Sequence, residues 1–261
     1  MIVDAHCHLT GGYQKDKDVD GILGRAKAAG VIGAVAVGTD LEDSKKVIEL
    51  AENYSSIKAS LGVHPHDAKT WCTETEMELR GLLKSPLALF VGETGLDWHY
   101  DLSPRDLQEN AFRAQIRLAI EIGKPLMVHT RSAPDATLAI LEKEGASKVG
   151  GVIHCFTEDL PFAQRAVGLG FYISFSGIIT FPKNSLTIRE AAAWVPEDRI
   201  LVETDAPFLA PTPHRGKQNE PAFVVHTARC LAELRGCNEK HIQDITRKNL
   251  RTLTGWNVAQ C

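Results

Sequence analysis

Two histidines near the start of the chain have a spacing that suits metal binding. His6 and His8 follow Ile2 and Val3, which predict the end of a short buried strand. Because alternate side chains of an extended backbone point to the same side, both imidazoles face one point in space. Neutral imidazole is a common ligand for zinc, iron, nickel and manganese. The alternative is a pair of histidines at a frayed terminus, and the rest of the chain decides between the two.

Five further apolar runs also end in side chains that bind metals or phosphate. In each case the polar residues come after the apolar ones, so they mark the carboxyl end of a predicted strand. The residues at the six ends are His6 and His8; His64 and His66; Glu93 and Asp97; His129 and Arg131; His154; and Glu203 and Asp205. Six unrelated structural explanations would be needed otherwise, so the pattern favours one shared site.

The sequence that must position these residues alternates short apolar runs with helical patterns. Predicted strands cover residues 2–4, 33–37, 59–63, 89–92, 125–129, 152–154, 171–174 and 200–203. Predicted helices cover residues 19–29, 41–53, 74–84, 105–122, 133–144, 160–167 and 185–194. Two closing helices are predicted at 221–235 and 239–253, after a proline-rich loop at 207–221. Such alternation favours an α/β fold with a parallel sheet.

We therefore expect residues 1–261 to form a single (β/α)8 TIM-barrel domain. A doubly wound open sheet is the alternative, although no GxGxxG motif follows the first predicted strand. The active site of a TIM barrel lies at the carboxyl ends of its strands. All of the metal-competent residues fall at such ends, so the predicted fold and the predicted site agree.

Four histidines and two carboxylates exceed the needs of one tetrahedral zinc ion with an open position. They fit two divalent ions that share a bridging carboxylate, and such pairs activate water for attack on esters, amides or phosphodiesters. The proposed ligands are His6, His8 and Asp205 for the first ion, His129 and His154 for the second, and Glu93 as the bridge. The pattern predicts a metal-dependent hydrolase with two divalent ions: magnesium, manganese or zinc.

The composition is that of an ordinary globular protein, with 44% hydrophobic and 24% charged residues. The formal net charge of −4 argues against a broad basic surface for duplex nucleic acid. Bound metal ions can still supply positive charge locally to a nucleic-acid substrate. We find no apolar run long enough to span a bilayer and no signal-like start, so we expect a cytoplasmic protein with no membrane partner.

The six cysteines form no CxxC pair, which favours reduced thiols over a disulfide framework. Cys7 and Cys155 are neighbours of proposed metal ligands. Because adjacent strand residues point to opposite sides, we expect both thiols to lie in the core.

These stretches resemble the TatD-type metal-dependent deoxyribonucleases of the amidohydrolase superfamily. The matching motifs are Asp4-Ala-His-Cys-His8, Gly62-Val-His-Pro-His66, Gly92-Glu-Thr-Gly-Leu-Asp97, Pro125-Leu-Met-Val-His-Thr-Arg131, His154-Cys-Phe156, Glu203-Thr-Asp-Ala-Pro207 and Arg215-Gly-Lys-Gln-Asn-Glu-Pro221. They span nearly the whole chain in the right order. The resemblance implies a TIM barrel, a two-metal centre and hydrolysis of nucleic-acid phosphodiesters, including 3′-exonuclease action at DNA ends or on single strands. No obligate protein partner is evident.

The roles expected at this site differ from residue to residue. Asp205 is expected to accept the proton of the attacking water, and Glu93 to act with it as a catalytic group. His64 is interpreted as a substrate-contacting or acid–base group, with a loop-stabilising hydrogen bond as the alternative. Arg131 is expected to contact phosphate, because its planar guanidinium suits that group. The alternative is a salt bridge that holds a loop.

Arg215, Lys217 and Asn219 lie in the loop after the eighth predicted strand, where loops of a barrel usually contact substrate. We expect phosphate or sugar contacts there, and the alternative is an exposed, solvated cluster. Trp98, His99 and Tyr100 follow the Glu93 motif and could stack a terminal base, although a packed loop is the commoner explanation.

Two other functions compete with a nuclease. A different hydrolase on the same barrel would open a small amide, lactone or phosphoester by the same attack of activated water. A non-enzymatic binding protein that retains an old barrel should have lost some ligands, and all six are present here.

Overall fold

The computed structural model describes residues 1–10, 18–183 and 185–258. Within them, eight parallel strands are paired in chain order. They are β1 (Ile2–Cys7), β2 (Val31–Val37), β3 (Ile57–Leu61), β4 (Ala88–Asp97), β5 (Leu126–Arg131), β6 (Gly151–Ile153), β7 (Phe171–Phe175) and β8 (Ile200–Val202). Cys7 also pairs with Ala206, which follows β8, so the last strand returns to the first. The predicted TIM barrel is confirmed, and the doubly wound alternative is wrong because no strand is out of order.

Helices alternate with the strands and cover the outside of the barrel. They are α1 (Val19–Ala28), α2 (Leu41–Asn53), α3 (Thr73–Leu82), α4 (Arg105–Ile122), α5 (Pro134–Glu144), α6 (Leu160–Gly168), α7 (Leu186–Trp194), α8 (Val224–Arg235) and α9 (Glu239–Thr254). Asp40 and Asp159 begin α2 and α6, because each side chain accepts a hydrogen bond from the backbone N–H three residues on. Within the described residues, no helix combines the length and hydropathy that crossing a bilayer would need.

Two hydrophobic clusters hold the barrel together. The larger lies between the strands and the surrounding helices, where Leu61, Ile116 and Ile153 are among its fully buried members. The smaller draws Val35, Phe90 and other side chains from most strands. Because strands on all sides of the barrel contribute to the smaller cluster, this cluster lies inside the barrel. Its side chains fill the interior beneath the polar carboxyl ends of the strands.

Irregular pairing occurs in β1 and β4, the strands that carry His6 and Glu93. The β1–β2 register shifts between Asp4 and Cys7, and the β4–β5 register shifts between Val91 and Thr94. Such bulges re-aim side chains and are common beside active sites. The strand predicted to end at residue 92 in fact pairs with β5 as far as Asp97, so Glu93 lies within β4 rather than after it.

The five cysteines in the described part of the chain are unpaired thiols, and Cys261 lies outside it. Cys7 is buried and its thiol donates to the Val35 carbonyl, as expected of a core residue. The expectation for Cys155 is wrong, because this residue is half-buried and lines the cleft described below. Its φ of 43° turns the backbone out of the strand geometry on which the alternation argument relied.

Candidate metal centre

The six residues proposed as metal ligands come together at the carboxyl ends of the strands. His6 lies in β1 and His8 just after it, Glu93 and His129 lie in β4 and β5, His154 follows β6, and Asp205 follows β8. The ends of β1 and β8 are joined directly, because the Asp205 N–H donates to the His6 carbonyl at 3.0 Å and the His8 N–H donates to the Ala206 carbonyl at 2.7 Å. Closure of the barrel thus places the first two histidines beside Asp205.

Close contact between β4 and β5 brings Glu93 to His129. Gly92 and Gly95 have φ values of +143° and +142°, which side chains rarely adopt. A Cβ atom at Gly95 would lie 1.9 Å from the His129 carbonyl oxygen, and one at Gly92 would lie 2.3 Å from that of Met127. Only glycine at these two positions allows the strands to approach so closely.

The first candidate cluster consists of His6, His8, Asp205 and one oxygen of Glu93. The His6 and His8 Nε2 atoms are 3.3 Å apart, and they lie 3.5 and 3.7 Å from Glu93 Oε2 and 3.6 and 3.5 Å from Asp205 Oδ1. Ligands held about 2.0–2.2 Å from a tetrahedral ion lie roughly 3.3–3.6 Å from each other. The four atoms therefore fit the ligand shell of a divalent ion.

The second candidate cluster consists of His129, His154 and the other oxygen of Glu93. Glu93 Oε1 lies 3.1 Å from His129 Nδ1 and 2.7 Å from His154 Nε2, and the two nitrogens are 3.4 Å apart. The His6 and His154 rings stack at 3.9 Å, so the clusters adjoin. Glu93 is 2% exposed and directs one carboxylate oxygen to each cluster, which is the geometry expected of a bridge.

Outer hydrogen bonds orient three of the histidines so that the other ring nitrogen faces the candidate metal clusters. His8 Nδ1 lies 3.1 Å from the Val37 carbonyl, His129 Nε2 lies 3.2 Å from Asp97 Oδ2, and His154 Nδ1 lies 3.3 Å from Glu203 Oε1. These partners only accept hydrogen bonds, so each holds the proton on the outer nitrogen. In the neutral ring that a metal requires, the lone pair of the other nitrogen then points into the cluster.

His64 also faces this centre, but the nitrogen that points inward carries the proton. Its Nδ1 accepts a hydrogen bond from the His66 N–H at 3.1 Å, so the neutral ring carries its proton on Nε2, which lies 3.4 Å from Glu93 Oε1. Burial lowers the pKa of His64 to about 4, so the ring is neutral at pH 7. A protonated Nε2 has no lone pair for a metal. His64 is therefore placed to donate a hydrogen bond rather than to complete the second cluster.

Asp97 and Glu203 are buried carboxylates behind the candidate ligands. Burial alone would raise the pKa of Asp97, but hydrogen bonds from His129 and His66 outweigh it and hold this pKa below its usual range. Asp97 Oδ1 also accepts the N–H groups of His99 and Tyr100. Glu203 Oε1 accepts the Cys155 N–H at 2.8 Å as well as the His154 proton. Both carboxylates orient an imidazole.

Glu203→Gln should weaken metal binding at the second cluster by about 10- to 100-fold, the usual effect of losing a carboxylate behind a ligating histidine. The amide keeps an acceptor oxygen for His154 Nδ1 but loses the charge that makes the imidazole more basic. Titration with zinc and measurement of bound metal after dialysis would show the effect. Glu142→Gln, at a surface ion pair with Arg165, is the matched control. Equal affinities in both variants would contradict this role.

Metal binding should release about one proton from His154 at pH 7. Burial alone would lower the pKa of this imidazole, but the Glu93 charge and the Glu203 hydrogen bond hold it well above 6.5. The raised pKa favours the charged form of the metal-free ring, whereas a metal takes only the neutral ring. Metal affinity then rises with pH. The stability that the charged ring gives the metal-free protein is complete below pH 6.5 and is lost as pH rises through the raised pKa.

Calorimetric titration of metal into metal-free protein, in buffers with different ionisation enthalpies, would count the released protons. A count of zero at pH 7 would mean that the ring is already neutral.

A cleft of about 650 Å³ opens above the two clusters. Of the predicted substrate contacts, His64 and Arg131 line it. The Arg131 guanidinium lies 4.6 Å from the Tyr100 ring centre, so it makes a cation–π contact in place of the loop-holding salt bridge that was the alternative. His66 and Tyr100 share this wall.

The structure does not bring the predicted contacts of the β8 loop into the cleft wall. The Arg215 guanidinium stacks 3.6 Å from the Phe181 ring centre, and Lys217 is exposed. Asn219 is 1% exposed, and its amide donates to the carbonyls of Thr204 and Phe208 at 2.8 and 2.6 Å. Asn219 therefore stabilises the loop from within and does not line the cleft.

Several residues that line the cleft were not predicted from the sequence. Phe208, Leu209 and Ile178 form an apolar part of the wall, and Thr39, Thr130 and Thr157 add hydroxyls. Phe208 follows the Asp205-Ala-Pro motif by one residue, so its closeness to a proposed ligand was the available clue.

Barrel and clusters together define a metal-dependent hydrolase, and comparisons with known proteins identify the family. The family "TatD related DNase" matches residues 3–255, so this chain belongs to the TatD family. The uncharacterized metal-dependent hydrolase YcfH of Escherichia coli K12 is 43% identical over 256 residues, which are 97% of this chain and 95% of YcfH. The family predicted from the sequence motifs is confirmed.

Two further relatives connect the chain to a named activity and to a solved structure. The 3′-5′ ssDNA/RNA exonuclease TatD of Enterobacter lignolyticus is 37% identical over 243 residues, covering 92% of this chain and 94% of that protein. The crystal structure of YjjV, a TatD homologue from Escherichia coli K12, superposes with a TM-score of 0.91 at 30% identity and covers 98% of both chains.

Proposed function

We propose that this protein is a metal-dependent nuclease that removes nucleotides from the 3′ ends of single-stranded DNA or RNA. The observation that carries the proposal is Glu93, whose two oxygens each face a separate cluster of candidate ligands. The exonuclease activity in the name of the Enterobacter relative supports the substrate class. Arg131 in the cleft wall supplies a planar cation for phosphate. We propose further that residues 1–261 work as one domain.

The proposed cofactors are two divalent ions, magnesium, manganese or zinc. His6, His8 and Asp205 would hold one and His129 and His154 the other, with Glu93 between them. Such ions neutralise charge on the phosphate and make water acidic enough to attack near neutral pH.

The chain's own residues complete the proposed reaction. Asp205 accepts a proton from the attacking water while the water oxygen forms a bond to phosphorus. The bond from phosphorus to the 3′ oxygen of the preceding nucleotide breaks, and that oxygen takes up a proton to become a 3′ hydroxyl. The His64 Nε2–H and the Arg131 guanidinium donate hydrogen bonds to the phosphate oxygens, where negative charge builds up. Asp97 and Glu203 keep the imidazoles of His129 and His154 in place.

A substrate panel tests the proposal. Purified protein is incubated with magnesium, manganese or zinc and with end-labelled single-stranded DNA, RNA and duplex DNA, beside lactones and cyclic amides. We expect stepwise loss of 3′ nucleotides from single strands and none from Glu93→Ala. Opening of lactones or amides without release of nucleotides would replace the nuclease with another amidohydrolase-type activity. Less than one metal ion per chain after reconstitution would instead support a binding protein.

A further inference from the structure

We propose that Phe208 and Tyr100 are two aromatic platforms on opposite sides of the metal centre, on which unpaired bases next to the cleaved phosphate stack. The inference rests on the proposed nuclease function and adds residues that determine specificity for single strands.

Phe208 presents a large apolar ring to the cleft beside His8, a member of the first cluster. It is 44% exposed, lines the cleft, and lies edge-on to the His8 ring at 6.1 Å between centroids. His8 is a candidate ligand, so any group that rests on Phe208 lies one ring away from the metal centre.

The backbone around Phe208 is firmly held. The Phe208 N–H donates to the Asp205 carbonyl at 2.9 Å, and the Asn219 side chain donates to the Phe208 carbonyl at 2.6 Å. The Asn219 N–H also donates to the Pro207 carbonyl at 3.0 Å. These bonds fix the segment that joins the ring to Asp205, so the platform and the candidate ligand keep a constant separation.

Tyr100 presents a second ring at the far side of the cleft. It is 53% exposed and lies edge-on to His66 at 5.5 Å. Arg131 lies against the Tyr100 ring, so this side combines a stacking surface with a cation that suits phosphate. The Tyr100 N–H donates to Asp97 at 2.9 Å, which ties this loop to the carboxylate that orients His129.

The order of the strands places the two rings opposite each other. Tyr100 follows β4 and Phe208 follows β8, and these strands lie four apart in a ring of eight. Single exposed apolar side chains are common on protein surfaces and need no special explanation. Here two exposed aromatic rings line the same cleft as the candidate metal ligands, and the strands that precede them lie on opposite sides of the barrel.

This arrangement matches a single strand better than a duplex. Every base has a π-face, so aromatic rings hold unpaired bases without reading the sequence. A duplex keeps its bases paired and stacked on each other, so it cannot offer the faces that these rings would contact. The protein should therefore select single strands through base stacking, while phosphate contacts and the metal centre carry out the reaction.

A double-mutant cycle between protein and substrate tests the platforms. Phe208→Ala and Tyr100→Ala are assayed with manganese on a single-stranded oligonucleotide and on versions that lack the last or the penultimate base. Each alanine variant should raise KM for the complete oligonucleotide roughly tenfold, with little change in kcat. On an oligonucleotide that lacks the base stacked by that ring, the same variant should show no further loss. Phe208→Trp and Tyr100→Phe should keep wild-type KM, because both keep a ring.

Leu186→Ala is the matched control, since Leu186 is 82% exposed on α7 and does not line the cleft. Unchanged thermal midpoints of all variants would confirm that they fold. Equal losses on complete and base-lacking oligonucleotides, or no loss at all, would overturn the platforms while leaving nuclease activity standing. A wild-type protein that cleaves no nucleic acid with any metal would overturn the proposed function, and the platforms with it.

Discussion

Glu93→Gln should lower kcat/KM by at least about 10³-fold and leave the protein with less than its full metal content. The carboxylate belongs to both candidate clusters, with Oε2 facing His6 and His8 and Oε1 facing His129 and His154. An amide has the same shape, but its nitrogen carries hydrogens and cannot ligate on that side. One cluster therefore loses a ligand and both lose a negative charge.

Metal analysis of dialysed protein and steady-state kinetics would measure the two effects. Glu52→Gln on the exposed face of α2 is the matched control, and it should behave as wild type. Full metal content and full turnover in Glu93→Gln would contradict the bridging role of Glu93, and the two-metal proposal would fail.

Asp205→Asn should bind metal but lose about 10²- to 10⁴-fold in kcat, the range that a positioned proton acceptor contributes. Asp205 Oδ1 completes the first cluster beside His6 and His8, and the residue also faces the open cleft. Asparagine keeps an oxygen for the metal but cannot accept a proton from water at neutral pH. KM should change much less than kcat, because substrate binding relies on other groups.

Metal content, kcat and KM measured on the same preparation separate the two roles of Asp205. Asp135→Asn is a suitable control, since the Asp135 carboxylate is 99% exposed on α5. Wild-type turnover by a fully metallated Asp205→Asn protein would show that another group accepts the proton.

Much of the fold could be predicted from the sequence because local patterns determine it. Apolar runs predicted all eight strands, and the helices were found where the helical patterns indicated. The end of β4 was placed too early, because Gly92, Glu93 and Gly95 do not look like strand residues. Pairing with β5 keeps them extended, and that pairing depends on a neighbouring strand.

The candidate site was predictable in composition but not in detail. The six candidate ligands could be identified because each stands after an apolar run, and the structure places them together; ligation itself stays a prediction. Asn219 looked like a substrate contact because of its loop, whereas its burial and hydrogen bonds arise from the folding of that loop over Thr204 and Phe208. Phe208 escaped notice because an isolated aromatic residue has no distinctive sequence pattern.

The sequence by itself determined the kinds of atoms available to the site and the order of the elements that carry them, since residue type and periodicity are local properties. Tertiary structure decided which nitrogen of His8 and of His154 faces inward, because the deciding partners lie far away in the chain. The His8 proton is held by Val37, 29 residues on, and that of His154 by Glu203, 49 residues on. The bulges that aim His6 and Glu93 likewise arise from pairing with other strands, which no local pattern records.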